Sequence, residues 1–432
     1  MIIALSFSVL VIVTAAWTPL RRRGRVLAVC SSLAGIGSLA TMVLQSRWMT
    51  VPLGLAVALA AVTVALRVKK RAASKPGRIA EAVMAGLTSG AAAAAAVVAG
   101  GAAWALPTLE LPPPSGSFGV GIATLQWDTG APEVLTANPA DTRVLVVELW
   151  YPTEATGPGK PYLASSTISD ALATQAGLPG FLLDGLVHGS SNAIADAPRA
   201  DGTFPLVLFS PGLGGLRTQN SAWAEDLASH GYIVASLDHP YDSAAVVLKD
   251  GTIIASTLAT TGNDAADQRV ADDLASIRAD DLLAALDRLT AELGVGVVEG
   301  VATAGHSIGG AAAILAASRD DRVDAVVNLD GLPRGGRPTV PVLAIVAGEG
   351  TGSAQSDARY EAALTEVLSA CGTRVVVQGA QHLSFTDSAL FLPPLPSLIG
   401  SNGRTAGLEV ATRETRAFLD SALEGGEDRC DR

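Results

Sequence analysis

The sequence predicts an α/β protein with a doubly wound, mostly parallel sheet, preceded by an α-helical transmembrane segment. Short apolar runs alternate with helical patterns from about residue 118 to the end of the 432-residue chain. Long apolar stretches fill the first 106 residues instead. The charge changes at a similar point, because residues 1–78 have a net charge of +11 and the remainder a net charge of −22. These observations divide the chain into a membrane segment and an acidic α/β domain.

The N-terminal segment contains four apolar stretches that approach or exceed the roughly 20 residues of a membrane-spanning helix. They are Ile2–Trp17, Val26–Leu44, Val51–Leu66 and Ile79–Leu106. The loops that follow them contain four, one, six and no basic residues, in that order. Basic loops remain in the cytoplasm, so the sequence predicts that the large C-terminal domain lies outside the cytoplasmic membrane.

The predicted membrane segment is interpreted as an anchor, because its only acidic residue, Glu81, lies at the end of a span and no charge inside a span marks an ion or substrate path. Residues 107–117 are predicted to form a short, stiff linker, and residues 118–432 one domain. The acidic charge of that domain makes nucleic acid an unsuitable partner. Three cysteines without paired spacing predict no zinc site, although Cys371 and Cys430 can pair in an oxidising compartment.

The α/β prediction for the second domain depends on its alternating runs. Arg143–Tyr151 alternates apolar and polar residues like a half-exposed strand. Near-continuous apolar runs, typical of strands buried on both faces, are Pro205–Phe209, Tyr232–Leu237, Gly300–Ala304, Val323–Leu329, Val342–Ala347 and Arg374–Gln378. Helical patterns separate them at Gln219–His230, Asp272–Leu293, Ile308–Ser318, Asp357–Ala370 and Val410–Leu423. This alternation favours a doubly wound sheet, whose ligands bind beyond the carboxyl ends of the strands.

One short stretch indicates nucleophilic chemistry. Gly305-His-Ser-Ile-Gly309 matches the G-x-S-x-G pattern, and a predicted strand precedes it while a predicted helix follows. In the α/β-hydrolase fold this turn raises the serine oxygen above the sheet, and glycines make room for the turn. Ser307 is therefore the predicted nucleophile, and the fold class becomes the α/β-hydrolase fold.

A serine hydroxyl needs a base, and in this fold the order along the chain is serine, acid, histidine. His382 is the one histidine after Ser307, and it directly follows the last predicted strand. Two acids are candidates. Asp330 ends one strand and is followed by Gly331 and Pro333, whereas Glu349 ends the next strand among glycines. The more rigid setting favours Asp330, and Glu349 remains the alternative.

The oxyanion that forms on the substrate also needs donors. Ser210-Pro-Gly-Leu-Gly-Gly-Leu-Arg217 follows a predicted strand, and its glycines allow backbone amides to point at a developing negative charge. In this fold one donor comes from such a loop and the other from the residue after the nucleophile. The predicted donors are the amides of Leu213 and Ile308.

These segments together resemble the plasma and intracellular platelet-activating factor acetylhydrolases. The resemblance covers roughly residues 118–425 and is carried by the loop at 210–217, Gly305–Gly310, Asn328–Pro333 and Gln381–Phe385. It implies Ser307 as nucleophile, Asp330 as acid and His382 as base, with Leu213 and Ile308 as oxyanion donors. The chain departs from the family at Pro211, where the family usually has histidine.

The sequence therefore predicts a membrane-anchored serine esterase that works outside the cytoplasmic membrane through an acyl-enzyme. The resemblance implies short-acyl lipid or phospholipid esters as substrates, and neither a metal nor an organic cofactor is implied. Bacterial polyester hydrolases and dienelactone-type esterases share a similar serine motif, so a broader esterase is the first alternative. A catalytically idle hydrolase-like module that binds at the membrane is the second.

Overall fold

The computed structural model describes residues 78–259, 261–293, 298–348 and 354–424, together with Trp48 and Val51. The chain divides into two compact units, Met1–Pro107 and Thr108–Arg432. In the first unit, helix α1 spans Arg78–Ala105 and coincides with the fourth predicted span. The predicted spans 2–17 and 26–44, and all of 51–66 except Val51, lie outside the described residues. Among the residues described, no helix combines the length and the apolar composition that crossing a bilayer requires.

The segment predicted as a linker packs on the second unit. Leu109 and Leu111 are both buried, and Leu109 belongs to the main hydrophobic core. The Leu109 amide donates to the Gly185 carbonyl at 3.1 Å, and the Ser190 amide donates to the Leu109 carbonyl at 3.2 Å. The predicted linker at 107–117 is therefore packed against this unit at Leu109 and Leu111, because burial of the two leucines and these backbone bonds hold it in place.

In the second unit, the described strands form one nine-stranded sheet and a separate hairpin. The strands are β1 (Gly119–Pro132), β2 (Thr142–Thr153), β3 (Ile194–Ala195), β4 (Phe204–Ser210), β5 (Ile233–Asp238), β6 (Ala245–Val247), β7 (Ile253–Ala255), β8 (Val298–His306), β9 (Ala325–Leu329), β10 (Val342–Ala347) and β11 (Gly372–Val377). The sheet order is β11-β10-β9-β8-β4-β5-β2-β1-β3, and β6 pairs with β7. Within the nine-stranded sheet, the neighbouring strands β11, β10, β9, β8, β4 and β5 are all parallel to one another. Strand β2 is antiparallel to both of its neighbours, β1 and β5.

Helices cover both faces of this sheet. They are α2 (Ser166–Gln175), α3 (Asp184–Val187), α4 (Ser221–Ser229), α5 (Asp264–Leu293), α6 (Ile308–Ala317), α7 (Ala354–Leu368), α8 (Ser388–Phe391), α9 (Pro396–Ile399) and α10 (Ala406–Glu424), with 3₁₀ turns at Gly180–Leu183 and His382–Phe385. Alternate residues of β4 point to opposite faces, so Val207 lies in the core beneath α4 and α10 and Leu208 in the core beneath α5 and α6. The predicted α/β fold is confirmed.

Strand β1 was absent from the sequence prediction, and its composition explains why. It begins Gly-Val-Gly-Ile-Ala, which lacks the dense β-branched run of the central strands. Gly121 is opposite Tyr151 of β2, and a Cβ at Gly121 would lie 2.3 Å from the Tyr151 ring. The glycine that weakens the strand signal is thus required by a side chain on the neighbouring strand.

Candidate active site

Ser307 occupies the sharp turn between β8 and α6. Its φ and ψ are 57° and −123°, a conformation that costs a non-glycine residue on the order of 1–3 kcal/mol. The turn is held because the Ser307 amide donates to the Leu329 carbonyl of β9 at 2.9 Å. Because this hydrogen bond holds the strained turn, the Ser307 side chain is presented at the carboxyl end of the sheet.

The glycines around Ser307 are required by close backbone contacts. A Cβ at Gly305 would lie 2.1 Å from the Gly309 backbone, and a Cβ at Gly309 would lie 1.9 Å from the Ser210 carbonyl oxygen. A Cβ at Gly310 would lie 2.0 Å from Oδ1 of Asn328. None of these contacts is tolerable for an L side chain, so the G-x-S-x-G spacing follows from the packing of β4, β8 and α6.

The structure brings His382 and Asp330 together although 52 residues separate them. His382 begins the 3₁₀ turn after β11, and Asp330 directly follows β9 with a φ of 53°. Nδ1 of His382 donates to Oδ2 of Asp330 at 2.7 Å, while the other carboxylate oxygen accepts from the Ala347 amide at 2.9 Å. Both Asp330 oxygens are thus engaged, and the carboxylate is rigidly oriented toward His382.

The Asp330 carboxylate is ionised at neutral pH. Burial alone would raise its pKa, but the hydrogen bond from His382 and the His382 charge outweigh burial and leave the pKa of Asp330 below its ordinary value. A carboxylate only accepts hydrogen bonds, so Nδ1 of His382 carries the proton. In neutral His382 the other ring nitrogen, Nε2, is then the basic one.

The loop at 211–217 is anchored from beneath by a buried ion pair. Arg278 is completely buried and pairs with Asp242 at 2.6 Å. Arg278 also donates to the carbonyls of Pro211 and Gly212, and Asp242 accepts from the Gly214 amide at 3.3 Å. The loop therefore holds its shape with proline at position 211, where the resembling family usually has histidine.

The two predicted oxyanion donors remain available. Within the described part of the chain, the backbone amides of Leu213 and Ile308 have no hydrogen-bond acceptor. Leu213 lies on the exposed surface of the loop, and Ile308 is the first residue of α6. Unpaired amides at these two places can donate to a ligand oxygen.

A cavity of about 450 Å³ lies above the sheet and is lined by both Ser307 and His382. Most of the remaining lining surface is apolar, and it comes from four places: α2, α3, the loop after β4, and residues 382–391. The apolar lining residues are Leu172, Ala176, Leu186, Leu213, Leu216, Leu383 and Phe391. Among the described residues, no group of His, Cys, Asp or Glu side chains has the arrangement of a metal site.

Sequence reasoning identified Ser307, Asp330 and His382 but not the polar groups that support them. The alternative acid, Glu349, lies outside the described residues. Gln219 and Arg278 were missed because each acts over a long sequence separation, on residues 87 and 67 positions away. His306, at the first variable position of the G-x-S-x-G motif, was also not assigned a role. Arg278 lies in a helix that is largely polar, and Gln219 lies in the turn before α4, so no local pattern marked either of them.

The fold and the site together define a serine-dependent α/β-hydrolase. A serine on a strained strand-to-helix turn, a histidine held by a buried carboxylate and two available amides are the parts that this class uses. The acid follows β9, the strand next to β8 in the sheet.

Comparisons with known proteins agree with this class. Residues 106–256 match the family model described as platelet-activating factor acetylhydrolase, isoform II. A probable 1-alkyl-2-acetylglycerophosphocholine esterase of Arthroderma benhamiae is 30% identical over 177 residues, which are 39% of this chain and 44% of that protein. A platelet-activating factor acetylhydrolase of Cavia porcellus is 35% identical over 105 residues, 23% of this chain and 24% of that protein.

A solved structure extends the similarity over three quarters of this chain. A ferulic acid esterase from Streptomyces cinnamoneus is 31% identical with a TM-score of 0.62, covering 75% of this chain and 96% of that one. The chain spans less than half the length of the curated relatives it matches. It belongs to the same family of esterases as the Streptomyces protein, and its residues 106–256 are similar to the platelet-activating factor acetylhydrolases.

Proposed function

We propose that this protein is a serine carboxylic-ester hydrolase that acts on short-acyl lipid or phospholipid esters. The observation that carries the proposal is the bond of 2.7 Å between His382 and the buried Asp330, in the wall of a cavity that Ser307 also lines. The esterase names of the relatives support the same reaction. No cofactor is needed, because the side chains present supply a nucleophile, a base and its orienting acid.

In the proposed reaction, Ser307 Oγ attacks the ester carbonyl while His382 Nε2 takes the serine proton. The carbonyl oxygen becomes negative and accepts hydrogen bonds from the amides of Leu213 and Ile308. Collapse of this intermediate breaks the ester bond, and His382 returns the proton to the leaving alcohol. Water, activated by the same histidine, then hydrolyses the acyl-enzyme and releases the acid. Asp330 maintains the His382 tautomer and stabilises the imidazolium.

The substrate class is proposed from the cavity and from the relatives. The cavity is small and mostly apolar, which suits a short acyl group and an apolar alcohol part. Two of the relatives are named for the hydrolysis of an acetyl ester of a glycerophospholipid. A lipid ester with a short acyl chain satisfies both observations.

Hydrolysis of an acyl-chain series tests this proposal. With acetyl to dodecanoyl esters and a short-acyl phospholipid, kcat/KM is expected to fall by about tenfold or more toward the longest chain, because each poorly accommodated methylene costs on the order of 1–3 kcal/mol. The wild-type protein is also expected to react with a fluorophosphonate. A preference for long chains would contradict the short-acyl assignment, and absence of both hydrolysis and labelling would contradict the esterase.

A second candidate is a broader esterase of the polyester or dienelactone type. The observation that favours it is the similarity to a ferulic acid esterase over nearly all of that chain. Adding ethyl ferulate to the substrate series distinguishes the two candidates, because a short-acyl lipid esterase is expected to hydrolyse it poorly.

We also propose that the N-terminal segment, residues 1–106, anchors the protein in the membrane, with the catalytic domain outside the cytoplasm. The alternation of basic and uncharged loops supports this orientation. The disulfide-bonded state of Cys371 supports it as well, because disulfides persist in oxidising compartments.

A pair of C-terminal fusions tests the orientation. Alkaline phosphatase fused to the full-length chain is expected to be active, because it folds only outside the cytoplasm. Green fluorescent protein at the same position, the matched control, is expected to be dark. The opposite pair of signals would place the catalytic domain in the cytoplasm and overturn the topology.

A further inference from the structure

Three hydrogen bonds connect the loop after β4 to the backbone of His382. The Gly212 amide donates to Oε1 of Gln219 at 2.9 Å. Nε2 of Gln219 and Nδ1 of His306 are 2.9 Å apart, and Nε2 of His306 lies 3.0 Å from the His382 carbonyl oxygen. Gly212 directly precedes Leu213, the proposed oxyanion donor, so the chain of bonds joins the oxyanion loop to the catalytic base.

The groups at the two ends of this hydrogen-bonded series, the Gly212 amide and the His382 carbonyl, determine the direction of each hydrogen bond. The His382 carbonyl only accepts, so Nε2 of His306 donates to it. In a neutral imidazole the other nitrogen then accepts, and it accepts from the Gln219 amide group. Burial, and secondarily the charge of His382, lower the pKa of His306 to about 3, which keeps this ring neutral at physiological pH.

The glycines of the loop leave space for these two side chains. A Cβ at Gly212 would lie 2.9 Å from Nδ1 of His306, and a Cβ at Gly215 would lie 2.0 Å from Oε1 of Gln219. His306 is 2% exposed, and its ring centre lies 4.5 Å from that of His382. The loop, Gln219 and His306 are therefore packed as one unit against the catalytic histidine.

We propose that Gln219 and His306 are positioning residues that hold the oxyanion loop and His382 in register with Ser307. This inference rests on the proposed esterase function. His382 is then fixed at two points, at Nδ1 by Asp330 and at its carbonyl by His306. Gln219 and His306 form a hydrogen-bond relay, and loss of either one removes a support shared by the oxyanion loop and His382. The Leu213 amide and the imidazole both act in the transition state.

Substitutions that preserve shape but remove the hydrogen bonds test the relay. In Gln219→Met and in His306→Phe, kcat is expected to fall by about 10–100-fold while KM changes by less than about threefold, because the lost alignment matters mainly in the transition state. A trifluoromethyl ketone, which forms an oxyanion on Ser307, is expected to bind more weakly in proportion to the loss of kcat/KM. The loss of kcat in the double variant is expected to be no larger than the loss in the less active of the two single variants, because the two residues act as one unit.

Gln126→Met is the matched control, because Gln126 of β1 also accepts from a backbone amide, that of Lys249 at 2.7 Å, but lies outside the cavity and the relay; near wild-type kcat is expected. If Gln219→Met does not fold, Gln219→Glu is measured instead, since its carboxylate still accepts from Gly212 but cannot donate to His306. Wild-type kcat in a folded relay variant, a loss confined to KM, or losses that multiply in the double variant would overturn the relay. These results presuppose an active wild-type protein, so they are distinct from a failure of the esterase proposal.

Discussion

Replacement of Ser307 by alanine is expected to abolish ester hydrolysis, with kcat reduced by about 10⁶-fold, the scale found when the nucleophile of such a triad is removed. The turn between β8 and α6 is held by backbone contacts that do not involve the hydroxyl. The variant is therefore expected to fold normally and to lose only the nucleophile. Steady-state kinetics on an acetyl ester and fluorophosphonate labelling measure the effect.

The matched control for this variant is a serine outside the cavity, and Ser369, which is exposed just after α7, is suitable. Ser369→Ala is expected to label like the wild-type protein. Equal labelling or equal turnover of Ser307→Ala and the wild type would show that another residue is the nucleophile. If the wild type itself neither hydrolysed esters nor reacted, the catalytically idle binding module would become the better description.

Replacement of Asp330 by asparagine is expected to lower kcat by about 10⁴-fold, the scale found for the acid of other serine triads. The amide group of asparagine can donate to Nδ1 of His382, which leaves the proton on Nε2 and removes the base from the serine. The pKa of Asp330 is below its ordinary value, so protonation of this carboxylate is expected to reduce wild-type activity only at acidic pH.

Glu349→Gln is the matched control for Asp330→Asn, because it makes the same chemical change at the alternative acid. We expect it to retain near wild-type turnover. The reverse result, with Asp330→Asn active and Glu349→Gln inactive, would move the acid to the end of β10. Melting temperatures of both variants separate a catalytic loss from a folding defect.

Features that depend on local periodicity were predicted well from the sequence. The apolar runs of β4, β8, β9 and β10 were placed to within a few residues, because strands buried on both faces need continuous apolar sequence. Helix α5 begins at Asp264, eight residues before the predicted start at Asp272, because its first turns are polar and carry no apolar repeat. The hairpin of β6 and β7 was missed for the related reason that three-residue strands contain too little pattern.

Neighbouring residues and regular spacings were enough to predict the nucleophile motif, the order of serine, acid and histidine along the chain, and the alternation that is typical of a parallel sheet. The folded structure was needed to show that Asp330 contacts His382, that Arg278 holds the loop at 211–217, and that Gln219 joins this loop to His306. Those contacts link residues dozens of positions apart, and they form because the sheet order places the ends of β4, β8, β9 and β11 along one edge.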